Sequence, residues 1–444
     1  MHVISWIAAI SALIFLLINV KFGIRYLMMV RGIIAVGWSA GIGIEVIRLN
    51  VTRIFGGLMP LVTLPKIIMH KNPRIYQLPL FNVSMLYLLY NFLGFAMILL
   101  SGEMSSSIQF FLRVMNGFLG FFIFQMYFND RESFRKLLIA MLIGGLFPVV
   151  MGIYGGITGF SYSARHAMGE FQRAPGLFHN IVIIKIFTYQ TIAAILLYWE
   201  YFRKGLFKRL LLIIYAMATC AAMYYCYSKS ATLMFILWSV IWIILKRKYF
   251  LFILLPIAIL AINFMQDGLI FKMVATIFEK EVGAIQGTAD QSRVFAGRVY
   301  GWENLLERFS EAPFFNQLFG MGIMAYGAHN DYIRILMSTG IFGLIVHSFI
   351  LLYVGAKITI NVIRNAYPIH VIALMLYLMW VIDSIGTVVG MYPETQWLVW
   401  GMIGLSFKGI TGLHEDEHAQ KIKSSSGFAC HDGLGTDVKE GRYV

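Results

Sequence analysis

Leu137-Leu-Ile-Ala-Met-Leu-Ile-Gly-Gly-Leu-Phe-Pro-Val-Val-Met-Gly-Ile-Tyr-Gly-Gly-Ile-Thr-Gly-Phe-Ser-Tyr-Ser-Ala164 runs without a charge, directly after the basic cluster Arg131/Arg135/Lys136. A bilayer core about 30 Å thick takes roughly 20 mostly apolar residues as helix. The stretch therefore reads as a membrane span whose basic end stays in the cytoplasm. Residues 75–102 have the same character, and further apolar runs lie at 210–228, 249–266, 335–356 and 365–382. Shorter or interrupted runs occupy 3–20, 33–47, 54–69, 114–129, 181–199, 230–245 and 395–407. The pattern predicts an all-α polytopic membrane protein with 12 or 13 transmembrane helices.

The whole composition agrees with those runs. Of 444 residues 59% are apolar and 13% charged, with a mean hydropathy of +0.74, against about 45–50% and about 25% in a soluble domain. So few charges cannot cover a water-facing surface. The net charge of +14 is dispersed in short clusters between apolar runs, which writes membrane topology and argues against a nucleic-acid partner. Cys220, Cys226 and Cys430 form neither a disulfide framework nor a zinc spacing. The basic clusters Lys66/Lys71/Arg74, Arg131/Arg135/Lys136, Arg203/Lys204/Lys208/Arg209, Lys246/Arg247/Lys248 and Lys357/Arg364 alternate with loops poor in positive charge. They place two long connections outside, residues 158–180 and 267–331. Residues 1–411 then form the membrane domain and 412–444 a polar, cytoplasmic tail. The first run has no basic leader and no small-residue cleavage site, so it reads as a retained span. Lys21, Arg25 and Arg31 favour an outside start with 13 spans, whereas an even count needs one early segment to be re-entrant.

Long loops usually carry function. Residues 267–331 hold five basic and eight acidic groups, and Trp302, Leu305, Leu306 and Phe309 recur at helical spacing. That stripe predicts a helix on the membrane surface with Trp302 at headgroup depth and Arg298 one turn before it. His329 falls at the start of the next span. The helix dipole there favours a neutral imidazole, able to act as a general base or simply to cap the helix. Asn330 or Asp331 can serve as the N-cap, and Asp331 with Arg334 is spaced as an i, i+3 pair. Arg173, Arg293 and Arg298 share this face, and their forks can hold a pyrophosphate or pair with Glu279, Glu281, Asp290 and Glu303. Lys229 stands in a helical hairpin facing outward, and Lys185 about one turn inside a span. With Asp383 and Glu45 these are ionisable groups at or within the membrane, where a proton or ion relay is the functional reading and snorkelling the structural one. His414-Glu-Asp-Glu-His418 fits H-E-x-x-H but lies in a charged tail without an apolar helical face, which argues for solvation rather than metal.

Taken together, these residues resemble the O-antigen polymerase and O-antigen ligase family of bacterial polysaccharide assembly. His329-Asn330 followed by Gly340-Ile-Phe-Gly343 is similar to the family's His-Asn…Gly-x-x-Gly pattern. Gly297-Arg298, Trp302, Pro313 and Gly320-x-Gly322 resemble its upstream run. Arg173-x-x-Gly176 is similar to its arginine motif, and Ser228-Lys229-Ser230-Ala231 to its hairpin motif, with lysine replacing arginine and losing the bidentate fork. The resemblance implies an inverting glycosyl transfer from a polyprenyl-diphosphate-linked glycan, on the outer face of the bacterial inner membrane, with no cofactor or metal. It implies His329 as proton acceptor, and Arg173, Arg298, Arg293, Lys229 and Asn330 as diphosphate- or substrate-binding residues. Gly340, Gly343 and Trp302 become packing residues of the motif. A glycan acceptor, the bilayer, a flippase and a chain-length regulator are the implied partners. Polymerisation of repeat units is the leading expectation and ligation to a lipid A core the alternative. A secondary transporter of lipid or sugar is the rival from another class, with Lys185 and Asp383 as its coupling groups.

Overall fold

The computed structural model describes residues 2–37, 41–42, 49–71, 73–162, 166–168, 171–265, 268–287 and 298–413. They form an all-α, multi-pass bundle of helices α1 (His2–Ile18), α2 (Val20–Val36), α3 (Val51–Ile68), α4 (Phe81–Leu100), α5 (Met104–Tyr127), α6 (Arg131–Thr158), α7 (Ile181–Phe202) and α8 (Leu206–Tyr224). The chain continues through α9 (Lys229–Leu245), α10 (Leu251–Met265), α11 (Leu269–Ile285), α12 (Arg298–Ser310), α13 (Phe314–Phe319), α14 (Asp331–Arg364), α15 (Pro368–Gly386) and α16 (Pro393–Lys408). Two small antiparallel hairpins interrupt it: β1 (Gly41–Ile42) with β2 (Leu49–Asn50), and β3 (His166–Met168) with β4 (Phe171–Arg173). Among the described residues, seven helices (α4–α8, α14 and α15) are long and apolar enough to cross a membrane. Shorter apolar helices are α1, α9 and residues 54–68 of α3.

Two contacts fix the N-terminal register that charge counting left open. Lys21, at the start of α2, lies 3.2 Å from Asp130 in the turn before α6, a turn flanked by Arg131, Arg135 and Lys136. His2 stands at the opposite end, its ring 6.1 Å from that of Tyr162 in the loop after α6. The start of α1 thus lies at the loop end and the turn from α1 to α2 at the basic end. The apolar run 33–47 is not one span. α2 starts earlier, at the Asn19 cap, whose side chain accepts from Phe22 N at 3.0 Å, and it stops at Gly37. Its charges hide it from a hydropathy window, yet each is accommodated locally. Lys21 reaches Asp130, Arg25 donates to Lys21 O at 3.0 Å, and Arg31 is buried in the bundle.

The core centres on α5 and α16, the last helix being buried along nearly its whole length. Small residues let the backbones approach: a Cβ added at Gly404 would meet Phe121 O. Trp397 then donates to Asn116 Oδ1 at 2.9 Å across the interface. By contrast Ile7, Ile14 and Leu17 on α1, and Leu210, Ile214 and Met217 on α8, stay exposed, as lipid-facing positions do. The packed body runs past the boundary expected at 411, since Ile410 and Leu413 are buried and Thr411 N donates to Asn129 O at 2.8 Å. The remaining tail with His414 and His418, together with Arg293, Gly297, Asp290 and Glu45, lies outside the described residues.

Candidate functional site

α14 is broken at Gly340, whose φ of 67° and ψ of −169° belong to no helix. The cause is a crossing backbone. A Cβ at Gly340 would strike Leu318 O and Gly320 N, and one at Gly320 would strike Ser338 O, so the loop after α13 presses into the break. Met321 N donates to Met337 O at 2.8 Å. The break thereby regains a partner for one carbonyl that lipid could not serve. Gly343 sits one turn on, against the Thr339 side chain. The short segment Asp331–Thr339 is therefore a separate half-helix, and its N-terminus is where His329 and Asn330 stand.

Asn330 is the cap. Its Oδ1 accepts from Tyr332 N at 3.0 Å and Ile333 N at 3.1 Å. Asp331 can then bond elsewhere. Its Oδ1 holds Arg334 Nε at 2.6 Å and its Oδ2 accepts from Gly390 N at 3.0 Å, both side chains being buried. On the other flank Trp302 Nε1 donates to Ala328 O at 2.6 Å. Between these anchors His329 adopts φ 48°, in the left-handed region. Histidine visits that region more readily than most residues, but it is held there at some conformational cost. Ala328 and Asn330 are buried while His329 itself is exposed, so a rigid frame presents one imidazole. Partial burial and the neighbouring Arg298 charge both lower its pKa below the ordinary 6.5. Both effects favour the neutral imidazole.

Three members of the Trp302 stripe pack on protein, while Leu306 stays exposed. Trp302, Leu305 and Phe309 pack with Ile333 and Met337 of the half-helix and with Met321 and Ile323 of the crossing loop. The apolar face of α12 thus covers a flank of the half-helix. The consequence is positional. Arg298 at the start of α12 is drawn over the end of α15, where its Nη1 donates to Gly386 O at 2.6 Å. One of five guanidinium donors is used in that bond, and it neutralises the negative end of α15. Burial lowers the Arg298 pKa and Tyr392 opposes that shift.

Tyr392 joins this group to a cavity of about 270 Å³ at the same end, lined by Gln109, Arg113, His179, Asn180, Tyr392 and Glu394 among others. Burial and Glu394 push the Tyr392 hydroxyl up, whereas Arg113 and Arg298 pull it down, so both guanidiniums lie within its electrostatic reach. Burial lowers the pKa of His179. Arg31, one turn below the cavity-lining Ala35 on α2, is 4% exposed and electrostatically linked to Glu394. The arrangement is a largely apolar pocket bounded by α2, α3, α5, α7 and α16, carrying Arg113 and Glu394 as its charged lining residues; Arg298 and His329 do not line it, and Arg298 is linked to it electrostatically through Tyr392.

Arg173 closes β4, in register with His166, and the chain from it runs to His179 and Asn180 in the cavity wall. Lys229 opens α9 with its ammonium 5.9 Å from the Phe278 ring of α11. Lys185 and Asp383, far apart in sequence, form a buried ion pair of 2.9 Å, with Lys185 also donating to Ser230 Oγ at 3.0 Å. The pair sits where the first turns of α7 and α9 meet the last of α15. Sequence reasoning missed Arg113, His179, Tyr392 and Glu394. Arg113 lies flush with an apolar run, and Tyr392-Pro393-Glu394 carries only the signature of a helix start. Among the described residues no group of three or more His, Cys, Asp or Glu is placed to hold a metal. The chain matches no known protein-family model, and a search of curated proteins found no match.

Proposed function

We propose that this protein is a membrane glycosyltransferase that polymerises polyprenyl-diphosphate-linked oligosaccharide units at the outer face of a bacterial inner membrane. The observation carrying this reading is His329, held between the Asn330 and Trp302 anchors, with burial and the Arg298 charge both favouring its neutral form. A sugar hydroxyl of the acceptor would attack the donor's anomeric carbon while His329 takes the hydroxyl proton. The bond from that carbon to the diphosphate oxygen breaks, and its electron pair leaves with the diphosphate. Arg298, with Arg113 across Tyr392, supplies the positive charge this leaving group needs. Attack opposite the leaving group inverts the anomeric centre. The sugar hydroxyls of the donor would meet Gln109, Asn180 and Glu394 in the cavity, and the lipid tail would remain among the helices.

The test is reconstitution of the purified protein with polyprenyl-diphosphate oligosaccharide, with and without a lipid A core acceptor. A glycan ladder on the donor alone supports polymerisation. Product formed only with the acceptor moves the reading to ligation. A second reading, a proton- or ion-coupled transporter of lipid or sugar, rests on the buried Lys185–Asp383 pair. Uptake or flipping by vesicles in the absence of any glycosidic product would favour it over both.

A further inference from the structure

The basic end carries a second cavity, of about 320 Å³, between the start of α6 and the turn from α7 into α8. Arg131, Arg135, Lys204 and Lys208 contribute its cations and Glu132 its only carboxylate among the lining residues. That carboxylate is already engaged, at 2.9 Å by Arg135 and 3.2 Å by Lys136. Tyr201 forms the back wall, its hydroxyl accepting from Ile369 N at 3.3 Å. We infer that this pocket binds the phosphodiester headgroup of an anionic phospholipid.

The chemistry calls for a phosphate, since several basic side chains on one rim match dispersed anionic oxygens and not a neutral headgroup. The source is decided by the surroundings. Leu206, Phe207 and Leu210 at the start of α8 are 82%, 77% and 54% exposed, beside Lys208 on the same helix. An acyl chain descending along that face keeps its headgroup level with the four cations. A soluble phosphate would gain the cations and leave the apolar face uncovered.

The full-length protein in neutral detergent is titrated with phosphatidylglycerol, phosphatidylcholine or inorganic phosphate, and binding is followed by native mass spectrometry and by the thermal midpoint. Phosphatidylglycerol should bind and raise the midpoint, with phosphatidylcholine and phosphate doing neither at matched concentration. The double variant Lys204→Ala/Lys208→Ala should bind phosphatidylglycerol roughly 10- to 30-fold more weakly, at about fivefold per basic group near a membrane surface. Both lysines are exposed, so the variant should fold, and Lys204→Arg/Lys208→Arg should retain binding. Equal binding of the two lipids, or an unchanged affinity in the alanine double variant, overturns the inference. Displacement of the lipid by phosphate at equal concentration overturns the lipid assignment and leaves a free-anion site.

Discussion

The two ends of the bundle each hold a cavity of similar size with charged groups in its wall, and they are built in opposite ways. At the basic end the lining residues come from two stretches, 131–135 and 198–208, which meet because α6 and α7 to α8 are sequence neighbours. At the loop end they come from positions 35 to 394, on five helices and the segments that lead into them. The first kind of site can be assembled by local chain reversal. The second needs the whole bundle packed before it exists, so its geometry depends on distant features such as the Gly340 break and the close approach of α5 to α16. Perturbations at the loop end should therefore alter activity and fold together or separately according to the residue touched. Those at the basic end should stay small and local.

The largest effect should come from His329→Ala. A general base typically contributes 10²–10⁴-fold, so polymer formation should fall by about that factor while donor binding persists. On the proposed role the neutral ring is the active form, and burial and Arg298 lower its pKa. Activity should hold at neutral pH and fall as pH drops through that lowered value, below 6.5, and the variant should lose this acidic limb. Near-normal turnover at equal expression would return His329 to a helix-start residue.

Asp331→Ala comes next and should act on stability. It removes the carboxylate from a guanidinium that is 2% exposed, along with the acceptor for Gly390 N. Breaking one side of a buried pair costs about 3–5 kcal/mol, so a clear drop in thermal midpoint is expected. If the loop-end cavity depends on global packing, this variant should also lose donor binding, although Asp331 does not line the cavity. Unchanged donor binding in a destabilised protein would show the site to be more local than its construction suggests.

A third variant separates charge from shape. Arg298→Lys keeps the cation and loses the planar fork, one arm of which is tied to Gly386 O. If Arg298 holds the diphosphate as proposed, bidentate recognition is lost with the fork, and a fall of about tenfold in turnover is expected, the equivalent of roughly 1.4 kcal/mol. A lysine variant with parental kinetics would reduce Arg298 to a cap on α15.

Much of this architecture was legible in the sequence because a bilayer imposes one rule, that apolar runs become helices. The apolar helices follow from it, and capping chemistry had narrowed the start of α14 to Asn330 or Asp331. α2 was not legible, since Lys21, Arg25 and Arg31 depress hydropathy and find protein partners that no window can see. The docking of Trp302 was missed for a related reason: helical spacing shows that a stripe will be buried but not whether lipid or protein buries it. Glycines were visible as a motif, and their purpose was not. Gly320 and Gly340 lie 20 positions apart and serve one backbone crossing. Arg113 was lost because it abuts an apolar run in the middle of α5, and Glu394 because a charge in the first turn of a helix is commonplace.

The smallest effect should lie at the basic end, in the pair that fixed the N-terminal register. Asp130 has two functions there: its Oδ1 caps α6 through Ser133 N at 2.8 Å, and its Oδ2 meets Lys21 at 3.2 Å. Asp130→Ala removes both, and loss of a cap alone costs about 1 kcal/mol. Asp130→Asn keeps a capping oxygen and removes only the charge. The two side chains are 42% and 45% exposed, so solvent screens the pair and the asparagine variant should lose less than about 1 kcal/mol. Burial raises the Asp130 pKa, but hydrogen bonds from the Ser133 backbone and hydroxyl and from Lys21 outweigh it and hold the carboxyl below its ordinary value. A depressed carboxylate stabilises above its unfolded pKa, so the difference between parent and asparagine variant should be present at pH 7 and vanish as pH falls through the lowered value. It should also shrink as salt is raised from low ionic strength, since exposed charges are screened over about 10 Å at 0.1 M. A loss as large in Asp130→Asn as in Asp130→Ala, insensitive to salt, would mean that the Lys21 pair is part of the packed body and that the basic end is built as globally as the loop end.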